Sequence, residues 1–310
     1  MAEARPPALK RAKRFLRYLV VRAAVAVLGL LPARLASGLG AAFGSLAYAV
    51  AFGERRKALA SLAVAFPAKS EDERRAMARA CFRHLGRAVA ELVCVEQLDR
   101  NVDAWVEWPA ESRAVLDAAL ARKKGVVFIS GHVGSWELLA RRVALAGYPC
   151  QTIAKETSDP RLTALVEKFR SSAKLKSIWR GQPGAVKDML RALKGGEILG
   201  LLIDQDTRVQ SVWVPFFGRP AKTPRAAADL AVRTGAAVIL GFCQRVAPGK
   251  YRLTMSEVPV PRGEREQAAV ELTAALTRGI EDAIRRAPEQ WVWMHQRWKS
   301  PPEDATRPSP

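Results

Sequence analysis

Short apolar runs alternate with amphipathic segments from Lys123 onward, and this alternation constrains the fold more than any other feature of the sequence. The runs GVVFIS (125–130), CQTIAK (150–155) and ILGLLID (198–204) have the length and composition of buried strands. The first is followed by SWELLARRVALAG (135–147), which has helical periodicity. Strands and helices that alternate in this way form βαβ units. The sequence therefore predicts an α/β fold, with a mostly parallel sheet flanked by helices.

The N-terminal region has a different composition. Residues 15–31, FLRYLVVRAAVAVLGLL, are apolar but contain Arg17 and Arg22, and residues 35–53 are uncharged but only weakly hydrophobic. A spanning helix needs about 20 strongly apolar residues, and neither stretch meets that requirement cleanly. An interfacial amphipathic anchor, a shallow helical hairpin, a pair of core helices and a spanning helix with snorkelling arginines all stay open. We expect residues 1–53 to be a membrane-associating helical segment that lies on the cytoplasmic face of a membrane.

The remaining chain divides into two parts. We expect residues 54–300 to form one domain that begins with helices, because Ser70 and Glu73 have the spacing of a capping box before a helical segment. Residues 301–310, PPEDATRPSP, are rich in proline and polar side chains, and we expect a disordered tail there.

The charge balance and the cysteines bear on partners and compartment. The formal net charge is +20, so we expect an anionic partner. Four kinds of partner are anionic: nucleic acid, an acidic membrane surface, an acidic carrier protein and a phosphorylated substrate. No nucleic-acid-binding motif is recognisable in the sequence. The cysteines lie in apolar stretches without CxxC spacing, which favours buried, reduced thiols in a protein that faces the cytosol: Cys81, Cys94, Cys150 and Cys243.

The stretch GHVGSWE combines a histidine with an acid at the predicted junction of a strand and a helix. If His132 lies in the turn and Glu137 in the first turn of the helix, the carboxylate can hold one ring nitrogen. The other nitrogen is then free to take a proton from a hydroxyl group. This pattern makes His132 a candidate general base and Glu137 its candidate orienting carboxylate. A purely structural histidine remains the alternative.

Other chemistries at the same place have weaker support. Ser135 lacks the Gly-x-Ser-x-Gly pattern of a nucleophile elbow and fits better as a helix N-cap. Metal binding by His132 and Glu137 lacks a third ligand nearby. Asp204-Gln-Asp206 follows a buried strand and has the DxD pattern with which glycosyltransferases hold a divalent ion. A metal-dependent glycosyltransferase that uses Asp204 and Asp206 is therefore an alternative function.

Four segments together resemble a known family. ISGHVGSWELLA resembles the HX4(D/E) motif of the late acyltransferases of lipid A biosynthesis, which are relatives of the glycerolipid acyltransferases. RRKALASLAVAFP (55–67), LLIDQDTRVQSVWVPFFGRPAKTP (201–224) and PEQWVWMHQRWK (288–299) are similar to further segments of that family. Ser61 departs from the pattern, because asparagine is common there. The matches are collinear and extend over roughly residues 10–300.

The resemblance implies a reaction and a set of residues. It implies acyl transfer from acyl carrier protein to a hydroxyl of a lipid A precursor, with no cofactor, at the cytoplasmic face of the bacterial inner membrane. His132 takes the role of general base and Glu137 that of its orienting carboxylate. Arg180 is expected to bind the oxyanion or a substrate phosphate, and Asp204 to contribute a polar substrate contact. Structural roles for Arg180 and Asp204 stay open, as does another glycolipid acceptor such as mannosylated phosphatidylinositol.

The aromatic residues near these segments have two interpretations. Trp213, Phe216 and Phe217 can border an acyl groove or belong to the core. Trp291, Trp293 and His295 recur at a spacing of two, which predicts a strand or an interfacial segment in which His295 is structural.

Overall fold

The structure is a computed structural model that describes residues 8–300. The predicted tail at residues 301–310 lies outside the described residues, as do the first seven residues of the predicted membrane-associating segment.

Four helices make up the N-terminal part of the fold: α1 (Ala8–Gly29), α2 (Ala33–Val50), α3 (Phe52–Ala65) and α4 (Glu71–Val93). Pro32 precedes α2, as expected for a residue that cannot continue a helix. The capping box predicted at the start of α4 is confirmed. The Glu73 amide donates to the Ser70 hydroxyl over 3.2 Å, and the Ser70 amide donates to the Glu73 carboxylate over 2.7 Å.

Helices α2 and α4 cross with their backbones in contact, because glycines occupy the crossing. A Cβ atom on Gly40 would lie 2.3 Å from the Gly86 carbonyl oxygen, and one on Gly44 would lie 2.2 Å from that of Phe82. No side chain fits in that space. The glycines therefore determine how closely the two helices approach.

Large apolar side chains stay exposed along the first two helices, among them Phe15, Leu16, Val20, Leu35, Phe43 and Leu46. Within residues 8–300, no helix is by itself both long enough and apolar enough to cross a bilayer. Helices α2 and α3 reach that length and apolarity only as a pair, bent by 90° between them.

The centre of the molecule is a seven-stranded sheet with the order β1-β9-β8-β2-β5-β3-β4. Strands β8, β2, β5, β3 and β4 are parallel, whereas β9 runs antiparallel to β8 and pairs in parallel with β1. A separate antiparallel hairpin consists of β6 and β7. The strands are β1 (Val106–Glu107), β2 (Val126–Ser130), β3 (Cys150–Ala154), β4 (Lys176–Trp179), β5 (Ile198–Leu202), β6 (Ser211–Phe216), β7 (Arg219–Pro224), β8 (Ala237–Ala247) and β9 (Lys250–Glu257).

The later helices join and cover the strands: α5 (Val95–Arg100), α6 (Val102–Trp105), α7 (Ala110–Ala121), α8 (Trp136–Leu145), α9 (Pro160–Ser171), α10 (Ala185–Lys194), α11 (Ala226–Thr234) and α12 (Arg265–Arg286). Strand β2 shows how both faces of the sheet are covered. Val127 and Ile129 belong to the same core as residues of α11 and α12, whereas Val126 and Phe128 belong to a second core with residues of α7 and α8. Side chains alternate along a strand, so a strand buried on both faces reads as a continuous apolar run.

The predicted α/β fold with a mostly parallel sheet and flanking helices is confirmed. The sequence interpretation missed β1, α7 and the β6–β7 hairpin. Strand β1 has two residues, too few for a periodic signal, and prolines in RPAKTP argue against a strand.

Candidate active site

The site lies where two neighbouring parallel strands end. Strands β2 and β5 pair in register, with Ser130 opposite Leu202. His132 follows β2 by two residues and Asp204 follows β5 by two residues, so the same register places them side by side. The carboxyl ends of parallel strands are where α/β proteins usually bind ligands.

Asp204 holds His132 at both its ring and its backbone. The Asp204 Oδ1 atom lies 2.8 Å from His132 Nδ1, and Oδ2 accepts the His132 backbone amide over 2.7 Å and the Trp291 indole N–H over 2.8 Å. Burial alone would raise the Asp204 pKa, but the adjacent imidazole and these hydrogen bonds outweigh burial and hold the pKa well below its usual value. A carboxylate in this position fixes the ring orientation and stabilises an imidazolium.

The Gln205 side-chain amide links His132 to His295. Its Nε2 atom lies 3.0 Å from His132 Nε2 and 3.2 Å from His295 Nε2. Burial, and then the charge of the neighbouring His132, lowers the His295 pKa to about 4, so His295 is neutral at neutral pH. One amide can therefore donate one hydrogen to each of the two rings.

Glu137 occupies the first turn of α8, as predicted, but its partner is Arg170 rather than His132. Arg170 Nη2 lies 2.5 Å from Glu137 Oε1, and Arg170 Nε lies 3.1 Å from Oε2. The expected contact between Glu137 and His132 is thus replaced by the contact of His132 with Asp204. The reason is geometric, because α8 directs Glu137 toward α9 while strand register brings Asp204 beside the histidine.

An apolar cavity lies between α8 and the sheet, next to the ion pair of Glu137 and Arg170. Both members of that pair line it, and so does Trp136, whose ring packs edge-on against the His132 ring at 4.9 Å between centroids. The rest of the wall is mainly hydrocarbon, from residues such as Phe128, Leu139, Val143, Ile198, Gly200 and Leu202. The cavity therefore places a hydrocarbon lining close to the histidine.

Arg180 is not brought to His132. It follows β4, which is two strands away from β5, and its side chain is exposed. Its backbone amide donates to the Ala154 carbonyl, which only continues the sheet.

The DxD pattern does not form a pair of open carboxylates. Asp204 accepts from His132 and Trp291, and Asp206 accepts the Ser300 amide over 3.0 Å. No group of three or more His, Cys, Asp or Glu side chains with metal-binding geometry occurs among residues 8–300. Both carboxylates hold parts of the fold together.

The aromatic residues near the C-terminus form a core, so the expected strand or interfacial segment is not observed. Trp291 and Trp293 are 1% and 0% exposed, and only an isolated bridge joins Trp291 to Val133. Phe216 packs on Trp291 with 5.7 Å between ring centroids, and Phe217 is also buried. This cluster places the Trp291 indole against Asp204.

The sequence analysis named His132 and Asp204 as site residues but did not predict the hydrogen bond between them. It also did not predict that Gln205 and His295 lie beside His132. Gln205 lies in the quoted LLIDQD segment directly after Asp204, which was a usable signal. The approach of His295 depends on how the C-terminal segment folds back, and no local pattern reports that.

A buried carboxylate, a histidine and an apolar cavity thus lie together at one edge of the α/β sheet. The model of the family described as bacterial lipid A biosynthesis acyltransferase matches residues 4–300. The chain therefore belongs to this family, which confirms the resemblance found in its sequence, and it is an acyltransferase.

Individual relatives show the same similarity. The lipid A biosynthesis lauroyltransferase of Escherichia coli (strain K12) is 29% identical over 273 residues, which are 86% of this chain and 85% of the relative. The palmitoleoyltransferase of lipid A biosynthesis from the same organism is 31% identical over 276 residues, 85% of each chain. A phosphatidylinositol mannoside acyltransferase of Mycobacterium tuberculosis (strain CDC 1551 / Oshkosh) is 24% identical over 185 residues, 59% of this chain and 57% of the relative.

Proposed function

We propose that this enzyme transfers a fatty acyl chain from acyl carrier protein to a hydroxyl group of a lipid A precursor, with His132 as the general base. The observation that carries the proposal is the His132–Asp204 pair beside the apolar cavity. The relatives named for lauroyl and palmitoleoyl transfer in lipid A biosynthesis support the choice of donor chain and acceptor.

The chemistry follows from the hydrogen bonds of His132. When Nδ1–H is donated to Asp204, Nε2 is the basic nitrogen, and its lone pair can accept a proton once the acceptor hydroxyl replaces the Gln205 amide there. The acceptor hydroxyl gives its proton to Nε2, and its oxygen attacks the thioester carbonyl carbon. The tetrahedral intermediate then expels the carrier thiolate, which recovers the proton from the imidazolium. The products are an ester and a free thiol, and Asp204 stabilises the imidazolium throughout.

The developing oxyanion needs a hydrogen-bond donor, and the Gln205 amide is a neutral donor beside the base. It lies within 3.0 Å of the base nitrogen, so it occupies the space that the reacting groups enter. On substrate binding, the amide can turn one N–H toward the thioester oxygen, in the manner of other oxyanion donors.

Glu137 and Arg170 have a separate role in this scheme. They line the cavity whose hydrocarbon wall is suited to the donor chain. Their ion pair is only partly exposed, so it holds α8 against α9 and fixes this part of the cavity wall. Glu137 then acts on the position of the acyl chain rather than on the protonation of His132.

The enzyme presents a cationic surface next to this cavity, and acyl carrier protein, which is acidic, can bind there. Four basic residues on α9, on β4 and beside them are exposed and make no ion pair within residues 8–300: Lys168, Lys174, Lys176 and Arg180. Arg141 and Arg142 are unsuitable because they are paired with Asp99 and Asp103. Arg180 thus becomes a candidate for carrier binding rather than for oxyanion stabilisation.

The exposed apolar side chains of α1 and α2 support membrane association, which we place at the cytoplasmic face of the bacterial inner membrane. Four buried, free cysteines fit a reducing compartment. The proposed scheme uses no metal or cofactor and no nucleic acid.

The test is a transfer assay read by mass spectrometry. Purified enzyme is given acyl carrier protein loaded with mixed chain lengths and a tetra-acylated lipid A precursor, and His132→Ala is run in parallel. We expect the precursor to gain the mass of one acyl chain with the wild type, and no gain with the variant. Transfer by His132→Ala at the wild-type rate contradicts the mechanism.

A second acceptor belongs in the same assay, because a relative is named for acylation of phosphatidylinositol mannoside. Transfer to that glycolipid, with none to the lipid A precursor, would keep the reaction class and replace the acceptor.

A further inference from the structure

A second apolar groove runs between α2 and α4, and it shares no lining residue with the cavity under α8. Its lining is hydrocarbon: Gly40, Phe43, Ala47, Leu85, Val89 and Met294. The groove exists because Gly40, Gly44 and Gly86 have no side chains at the helix crossing, so larger neighbours stand as walls above a backbone floor.

The outer wall of the groove faces outward from the protein. Phe43 is 61% exposed and Val89 is 62% exposed, values that are high for large apolar side chains. Phe43 belongs to the apolar surface of α1 and α2, so the groove and that surface are continuous. A contiguous exposed apolar surface marks an interaction site, and its continuity with amphipathic helices favours a lipid.

The groove reaches the chain segment that carries His295. Met294 lines the groove and is followed in the chain by His295, whose ring contacts the Gln205 amide. The same amide reaches His132 Nε2 over 3.0 Å. One short segment thus contributes Met294 to the groove and His295 to the hydrogen bonds around the base.

Helix α4 presents cations on the flank beside the groove. Arg79, Arg83 and Arg87 follow one another at a four-residue spacing and line a neighbouring cavity together with Glu289. None of these three arginines forms an ion pair within residues 8–300, although Arg79 stacks over the Tyr48 ring at 5.5 Å. A lipid with an anionic headgroup matches this combination of hydrocarbon and positive charge.

We infer that the groove between α2 and α4 seats an acyl chain of the membrane lipid acceptor while its headgroup lies along the arginines of α4. This rests on the proposed function, because it takes His132 as the base for the acceptor hydroxyl. Donor and acceptor chains then approach His132 from different cavities, and neither has to leave before the other binds.

The first test narrows the groove. Val89→Trp fills it from an exposed position, and Val186→Trp is the matched control, because Val186 is also 62% exposed but lies on α10. The readout is the ratio of acyl transfer to the lipid over hydrolysis of the acyl carrier thioester. We expect the ratio to fall roughly tenfold in Val89→Trp and to stay at the wild-type value in Val186→Trp. An unchanged ratio in Val89→Trp overturns the inference.

The second test detects the lipid without turnover. A photoreactive benzoylphenylalanine replaces Phe43 or, as a control, Val186 in the full-length His132→Ala enzyme, reconstituted in phospholipid with the acceptor. We expect cross-links from position 43 to the acceptor and none from position 186. Cross-links to phospholipid alone, or to a second copy of the chain, overturn the inference. Cross-links to the acceptor from an enzyme whose wild type transfers no acyl chain would uphold the groove and contradict the proposed function.

Discussion

At the scale of single residues, the identity of the carboxylate that holds His132 decides the mechanism. Asp204 is in contact with both the ring and the backbone of His132, whereas Glu137 is paired with Arg170. Local spacing in the sequence suggested Glu137, because five positions separate it from the histidine. The partner is instead more than 70 positions away, where only the register of β2 and β5 brings it close.

The first prediction separates the two carboxylates. Asp204→Asn should lower kcat on the order of 10²- to 10⁴-fold with a small change in KM, because an amide cannot stabilise the imidazolium. Glu137→Gln should mainly change KM for the acylated carrier. Steady-state kinetics of both variants are the measurement, with thermal unfolding as the control for folding. A loss of kcat in Glu137→Gln with normal kcat in Asp204→Asn would return the orienting role to Glu137.

The second prediction concerns the length of the donor chain. Gly200 lines the cavity under α8, and a Cβ there would lie 3.2 Å from Thr152 Cγ2. Gly200→Leu should shift the preferred donor toward shorter chains by roughly four carbons, the size of the added side chain. Competition between donors of different length measures the shift. Gly53→Leu, where nothing lies within 4 Å of the added Cβ, should leave the preference unchanged.

At the scale of elements, the sequence predicted the strands and helices that have a periodic apolar pattern. It missed elements that form only through contacts with other parts of the chain. The strands predicted at 125–130 and 198–204 are observed as β2 and β5, and the helix predicted over 135–147 is observed as α8. The β6–β7 hairpin was invisible because its proline-containing strands pair only with each other. The candidate site was predicted only in part. The ends of β2 and β5 were found from their apolar runs, but the contacts between side chains depend on how distant segments pack, and no local pattern reports them.

The third prediction tests the crossing of α2 and α4. A Cβ on Gly86 would lie 2.0 Å from the Gly40 carbonyl oxygen, so Gly86→Val must push the helices apart. We expect the free energy of unfolding to fall by about 3 kcal/mol, the upper range for overpacking. Denaturant unfolding in mild detergent measures it. Gly38→Ala, on α2 with open space around its Cβ, should not destabilise. Equal stability of Gly86→Val and wild type would show that the crossing tolerates a wider separation.

At the scale of the whole molecule, the buried His84 and the partly buried His295 make stability depend on pH. Burial, followed by the charge of Arg245, lowers the His84 pKa to about 4, and burial lowers that of His295 to about 4. Both pKa values are about 6.5 in the unfolded chain. The unfolded state therefore binds more protons between these values, and the folded state loses stability as pH falls from 6.5 toward 4.

The fourth prediction follows from that sign. The free energy of unfolding should be largest above pH 6.5 and should decline steadily toward pH 4. His84→Gln should reduce the difference between pH 7 and pH 4.5 by roughly 2 kcal/mol. Urea unfolding at the two pH values, with wild type and variant in parallel, gives the difference. An identical difference in both proteins would mean that His84 titrates normally in the folded state.

The four buried cysteines have a consequence for how unfolding can be followed. Burial raises the pKa of Cys81 and of Cys150 to about 12 and raises that of Cys94 and Cys243, so the native protein holds almost no thiolate. Thiol reagents attack the thiolate, so they can react only after these residues become exposed. In excess reagent, each cysteine should therefore be labelled at the rate at which the structure around it unfolds. The labelling rate of Cys94 reports unfolding at the end of α4, and that of Cys243 reports unfolding in the middle of the sheet.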